Sequence, residues 1–240
     1  MKSEKSTDSW QSFDVARLQI SVGQDYHEGE KLRATLGWLK PRFSVVKVCV
    51  NDTLQRFNLM FEERLDSAEA YNTSRQSGLI WAEKYKTDIG SNKSADMVHW
   101  DFWLNHADYP LIRKKIDDLY LGNIEFRDLI NQNIHEIWSR RCVKKPAVYS
   151  DNRFKEFFDL SRQYLLEEIS VFSMMFENER AIDVYPGTTI FAATVLQGRS
   201  LQGAPDGLGQ GHFCRIDFSR NPSFAANANA RPIKDKGLAL

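Results

Sequence analysis

Residues 16–26 read ARLQISVGQDY, and the reading of this stretch decides the fold. From Ala16 to Ser21, apolar and polar residues alternate with a period of two, as along a β-strand whose successive side chains point to opposite faces. Ala16, Leu18 and Ile20 share one face; Arg17, Gln19 and Ser21 share the other. Gly23 breaks the strand, and a helical pattern begins near Glu30. A strand, a glycine turn and a helix open an α/β sheet, whose ligands bind beyond the carboxyl ends of the strands. Ser21 falls at such an end. Taken alone, a serine there reads as a local backbone cap; segments further along the chain give it company.

Leu32, Leu36 and Leu39 mark the helix face that follows, and Pro41 stops it. Residues 44–50, SVVKVCV, are β-branched and nearly all apolar, as expected of a strand buried on both faces of a parallel sheet. Asn51, Asp52 and Thr53 cap a helix carrying Leu54, Phe57 and Phe61. Strand, helix, strand, helix is the rhythm of an open α/β sheet. Further helices are expected over 67–86, 111–121, 125–142, 151–175 and 188–196, with the second and third broken at Gly122. Strands are expected over 96–100, 181–185 and 211–218, and a loop over 90–94. The helix over 151–175 has the strongest apolar stripe, through Phe154, Phe158, Leu165, Ile169, Phe172 and Phe176. On it, Tyr164 and Glu168 are four apart and project from one face as neighbours.

At 240 residues the chain suits one domain with a large core. The expected division is a frayed leader over 1–12, a single catalytic domain over 13–218 and a flexible tail over 219–240. The opening MKSEKSTDSWQS is polar and charged, unlike a signal peptide. No run approaches ~18 consecutive apolar residues, so no membrane span is expected. Lys+Arg and Asp+Glu balance at 32 each, and no global field advertises a nucleic-acid partner. Cys49, Cys142 and Cys214 form no CxxC pair, which favours a reducing cytoplasm.

Several familiar chemistries lack their parts. No GxGxxG, GxxxxGK[ST] or HExxH occurs, which removes the dinucleotide, P-loop and zincin readings. The HIGH and KMSKS motifs of class I aminoacyl-tRNA synthetases are absent, and Ser21 is not in a GxSxG elbow. His99, Asp101 and His106 have no ligand spacing, so no metal and no cofactor are assigned.

With the Ser21 turn, the Tyr164/Glu168 helix and the Tyr185 strand in hand, the chain resembles the tRNA-dependent cyclodipeptide synthases. The residues that carry the resemblance are Ile20-Ser21-Val22-Gly23, Tyr164-Leu165-Leu166-Glu167-Glu168 and Tyr185-Pro186, in that order, within a βα pattern running from about residue 14 to 218. The Tyr-Pro pair, with Gln24 three residues after the serine, is similar to the family's Tyr-Pro branch. The resemblance implies a Rossmann-like α/β domain similar to the catalytic domains of tyrosyl- and tryptophanyl-tRNA synthetases, with no use of ATP. It implies an enzyme whose partners are two aminoacyl-tRNAs and which forms an aminoacyl ester and then a dipeptidyl ester on Ser21 before releasing a cyclic dipeptide. Tyr164 and Glu168 would then hold the α-ammonium, Glu168 would accept its proton, and Tyr185 would relay a proton during cyclisation. Arg17, Gln19, Gly23 and Gln24 would line the substrate, and an inward Arg17 hints at a polar or acidic amino acid unless a carboxylate of the protein pairs with it.

Relatives carry a strongly basic helix in the region matching residues 67–87, whereas this chain has few cations there. Two other clusters, Arg113-Lys114-Lys115 and Arg140-Arg141 with Lys144-Lys145, read either as solvated helix ends or as phosphate contacts for tRNA. A cytoplasmic monomer is expected. Two alternatives stand beside the enzyme: a synthetase-like tRNA-binding module without chemistry, and a Ser-dependent acyltransferase or hydrolase. The Ser21, Tyr164, Glu168 and Tyr185 set argues against the first, and the missing His–acid partner against the second.

Overall fold

The computed structural model describes residues 12–90, 95–186, 201–218 and 229–232. Strand β1 (Val15–Ile20) pairs in parallel with β2 (Val45–Val50) on one side, Leu18 opposite Val48, and with β4 (Ile182–Pro186) on the other, Arg17 opposite Asp183. β3 (Ala95–His99) extends the sheet beyond β2, and β5 (His212–Asp217) extends it beyond β4, both in parallel. The order is β3-β2-β1-β4-β5-β6, in which β6 (Asn229–Pro232) lies antiparallel to β5. The chain is thus an α/β protein built on a parallel five-stranded sheet, and β6 falls inside the segment expected to be a flexible tail.

Both faces of β1 are buried, as a central parallel strand requires. Ala16, Leu18 and Ile20 pack with Leu32, Leu36 and Leu39 of α1 (Gly29–Leu39) and with Trp81, Tyr85 and Ile89 of α3 (Ser67–Gly90). The opposite face is covered by α7 (Phe154–Asn178), which is buried almost all round between Leu165 and Phe176. Its far side packs on α2 (Arg56–Glu62), α5 (Tyr109–Gly122) and α6 (Ile124–Lys144) through Phe61, Ile116, Phe126, Ile130 and Trp138. At the apolar burial scale of ~25 cal/mol per Å², these two cores are the main source of stability.

Element boundaries differ from expectation where short polar groups intervene. A 3-10 turn over Asp151–Arg153 precedes α7. The α5–α6 break falls at Asn123, whose side-chain oxygen accepts from the Phe126 amide at 2.9 Å and caps α6. Trp100 leaves the expected third strand to open the short helix α4 (Trp100–Leu104). Gly90 belongs to α3, while the rest of the loop expected over 90–94 and the helix expected over 188–196 lie outside the described residues. Among the described residues, no helix is long and apolar enough to cross a membrane.

Candidate active site

The chain leaves β1 towards β2 and β3, then returns after α7 to place β4 on the other side of β1. This reversal of strand order opens a crevice beyond the carboxyl ends of β1 and β4. Ser21 is the first residue past β1, and Tyr185 stands near the end of β4. Ser21 Oγ lies 3.2 Å from the Tyr185 hydroxyl, which in turn lies 3.0 Å from the Tyr26 hydroxyl.

The turn after β1 is tightly tied. Gly23 takes φ +84°, a left-handed conformation that suits glycine, and the Gln24 amide donates back to the Ser21 carbonyl at 3.3 Å. A 3-10 turn over Asp25–His27 follows. The Ser21 amide donates to His27 Nδ1 at 2.9 Å, and the Trp81 indole donates to the His27 carbonyl at 3.1 Å. Burial pushes the His27 imidazole down to a pKa of about 4, so it is neutral at physiological pH and able to accept that bond.

Helix α7 supplies two adjacent buried carboxylates with different fates. Glu167 is held by Arg56 through both guanidinium nitrogens and by the Trp100 indole at 3.0 Å. Glu168 is 5% exposed and accepts no hydrogen bond from a described residue. Its burial alone raises its pKa from 4.5 to about 8. Tyr164, one turn earlier, is pushed well above the usual phenol range by burial and then by the nearby Glu168 and Tyr185. Burial likewise raises Tyr185.

A cavity of about 230 Å³ joins Tyr164 and Tyr185 to Ser21, and neither Glu167 nor Glu168 is part of its lining. Ser21, Gln24, Tyr26, Tyr164 and Tyr185 line its polar part; Phe57, Phe61, Ile137, Phe157, Leu160 and Leu165 supply apolar wall, and Gln55, Asn58, Ser161 and Arg141 complete it. The structure therefore brings together Ser21, Tyr164 and Tyr185 with Gln24, and sets Glu168 within electrostatic reach of both tyrosines.

Arg17 and Gln19 do not border the cavity. Arg17 is fully buried and forks onto Asp183, with Nη2–Oδ2 at 2.8 Å and Nε–Oδ1 at 3.2 Å, while Nη1 donates to the Met175 carbonyl at 2.8 Å. Gln19 donates to Asp183 at 2.5 Å. The carboxylate that Arg17 needs is the protein's own, and neither Arg17 nor Gln19 is brought to the cavity with Ser21. Gly23 shapes the turn and is likewise absent from the lining.

The basic clusters also separate. Arg113 pairs with Asp117 at 3.0 Å and Lys114 with Asp118 at 2.5 Å, one turn along the same helix, leaving Lys115 exposed. Arg141 is held by Glu62 and Tyr149, and Lys145 reaches the same Glu62 at 2.6 Å. Arg140 and Lys144 are exposed and make no ion pair with a described residue. Sequence reasoning misses Tyr26, His27, Gln55, Asn58 and Asp183; none carries a motif, and each matters only through position.

A serine-bearing loop after β1, a phenol near the end of β4 and the buried carboxyl of α7 across the crevice sit within a Rossmann-like α/β domain. The sequence matches no family model and no curated protein. Its structural neighbours are cyclodipeptide synthases. One, from Fluoribacter dumoffii, is 25% identical with a TM-score of 0.69, covering 79% of this chain and 85% of its own. A Mycobacterium tuberculosis protein, whose structure relates cyclodipeptide synthetases to type I tRNA synthetases, superposes with a TM-score of 0.65 at 11% identity, covering 85% of each chain. A cyclodipeptide synthase from Candidatus Glomeribacter gigasporarum, solved bound to Phe-tRNAPhe, superposes with a TM-score of 0.57 at 19% identity, covering 72% of this chain and 76% of its own.

Proposed function

We propose that this chain is a cyclodipeptide synthase that takes aminoacyl groups from two aminoacyl-tRNAs and carries the first on Ser21. The observation that supports this most is the meeting of Ser21, Tyr164 and Tyr185 around one cavity at the strand-order reversal, with Glu168, one turn along α7, outside the lining but within electrostatic reach of both tyrosines. An aminoacyl ester is already activated, so Ser21 needs positioning more than a strong base. Ser21 Oγ bonds the carbonyl carbon and the ribose oxygen leaves. Glu168, buried without a charge partner among the described residues, gains one when the α-ammonium binds beside Tyr164. Once ionised beside the ammonium, a carboxylate whose burial raises its pKa to about 8 is basic enough to take a proton from that amine. The freed amine attacks the second aminoacyl ester, and the new terminal amine then attacks the Ser21 ester, closing the ring and releasing the serine.

Tyr185-Pro186, with Gln24 three residues after Ser21, supports a reading within the family's Tyr-Pro branch. For tRNA docking, the Arg140–Lys145 cluster suits better than Arg113–Lys115. Arg141 lines the cavity, and its helix neighbours Arg140 and Lys144 face solvent, whereas Arg113 and Lys114 are neutralised by their own helix. The apolar wall favours an apolar amino acid over the acidic one that Arg17 suggested. No cofactor or metal enters any step, and a cytoplasmic monomer with one catalytic domain suffices. The test is mass spectrometry of medium from cells expressing the chain. A cyclic dipeptide that appears only with the intact protein is expected; its absence across several hosts, with soluble protein present, would leave only a tRNA-binding module.

A further inference from the structure

We propose that Tyr26 is a proton-relay residue for Ser21, acting through Tyr185; this rests on the acyl-transfer reading of Ser21. The three hydroxyls form a chain with spacings of 3.2 Å from Ser21 to Tyr185 and 3.0 Å from Tyr185 to Tyr26. Each hydroxyl donates one proton and accepts another, so the chain can run in either direction. Reversing it carries one proton from the Ser21 end to the Tyr26 end, and no phenolate forms on the way. That suits Tyr185, whose burial makes its phenolate costly. Tyr26 lines the cavity and, like Ser21 and Tyr185, is half-buried, so it extends the hydroxyl chain along the cavity wall away from Ser21.

The placement of Tyr26 is enforced by its surroundings. Its ring meets His27 edge-on at 4.7 Å and Tyr185 edge-on at 5.8 Å. His27, the next residue, is locked to the Ser21 amide and to Trp81. The turn after Gly23 thus folds back so that the nucleophile and the outer phenol, five residues apart in sequence, flank the same Tyr185 hydroxyl. In acylation, Ser21 Oγ bonds the ester carbon and the carbon–ribose oxygen bond breaks. The Oγ proton passes to Tyr185, the Tyr185 proton to Tyr26, and the Tyr26 proton to solvent, which protonates the departing ribose oxygen. Protons balance, and nothing is oxidised or reduced.

The experiment is single-turnover acylation of Ser21 by aminoacyl-tRNA in wild type, Tyr26→Phe, Tyr185→Phe and the double variant. Phenylalanine keeps both ring contacts of Tyr26, so the fold should persist. Tyr26→Phe should slow acylation about ten- to hundredfold, within the scale of acid–base assistance, and leave the KM for tRNA within about twofold. Its solvent deuterium isotope effect should fall, and a curved proton inventory should become linear, a change that a packing role would not produce. In the Tyr185→Phe background the chain is already cut, so Tyr26→Phe should add less than about threefold. Acylation of Tyr26→Phe at the wild-type rate, an equal loss in both backgrounds, or an unchanged proton inventory would overturn the relay alone. A wild-type protein that no aminoacyl-tRNA acylates would overturn the reading of Ser21, and the relay with it.

Discussion

Replacing Glu168 with Gln should destroy activity and stabilise the protein, with a pH dependence fixed by burial. The carboxyl titrates at about 8 in the folded chain against 4.5 for a solvated glutamate side chain. Between those pH values the folded protein holds a proton that the unfolded chain has released, so stability falls by about 1.4 kcal/mol per pH unit. Wild type therefore loses nothing through this group below pH 4.5, about 3 kcal/mol by pH 7 and about 5 kcal/mol once pH exceeds 8. Gln has the size and polarity of the neutral acid and never ionises. For a chain of this size each kcal/mol shifts Tm by roughly 2–4 °C, so Glu168→Gln should melt roughly 6–12 °C above wild type at pH 7. The gap should close near pH 4.5. The assay is thermal unfolding of both proteins by circular dichroism across that range, beside product formation at pH 7. A gap independent of pH, or a Gln variant less stable at pH 8, would refute the assignment of Glu168 as an acid whose pKa burial raises. Glu167→Gln is the control: it weakens a carboxylate already held by Arg56 and Trp100, and should destabilise at neutral pH.

Arg17→Leu should leave the buried Asp183 without its charge partner, with only Gln19 donating to it, costing about 3–5 kcal/mol, while Arg17→Leu with Asp183→Leu should recover much of that loss; urea midpoints measure both, and a single variant of wild-type stability that merely alters the product spectrum would point to Arg17 in the substrate pocket. Salt should weaken tRNA use steeply: three phosphate contacts give roughly a 40-fold rise in KM between about 50 and 200 mM salt. Charge reversal at Arg140 and Lys144 should flatten that slope, and an unchanged slope would move the docking face elsewhere.

The parts of the fold that depend on local pattern are legible in the chain. Period two in Val15–Ile20, the β-branched run of Val45–Val50 and the stripe along α7 report burial directly, because each residue's face follows from its own position. Tyr164 and Glu168 are legible for the same reason. What stays hidden depends on register between distant segments. The Arg17–Asp183 fork exists because β4 lies beside β1 with those two residues opposite each other, and no local pattern states that pairing. Glu167 and Glu168 look alike in sequence; only the approach of Arg56 and Trp100 separates a held carboxylate from one that no described residue pairs. Tyr26 and His27 sit in a short polar turn without periodicity. The ion pairs Arg113–Asp117 and Lys114–Asp118, by contrast, are present in the spacing of four and weaken that cluster as a phosphate site.

The central claim is that Ser21 carries the amino acid as an ester. It is tested most directly by intact-protein mass spectrometry after brief exposure of the purified chain to aminoacyl-tRNA. Wild type should gain the mass of one aminoacyl residue, removable by mild base and localised to the peptide containing Ser21, whereas Ser21→Ala should gain nothing and make no cyclic dipeptide. Full product formation by Ser21→Ala, or an adduct mapped to another residue, would contradict the account.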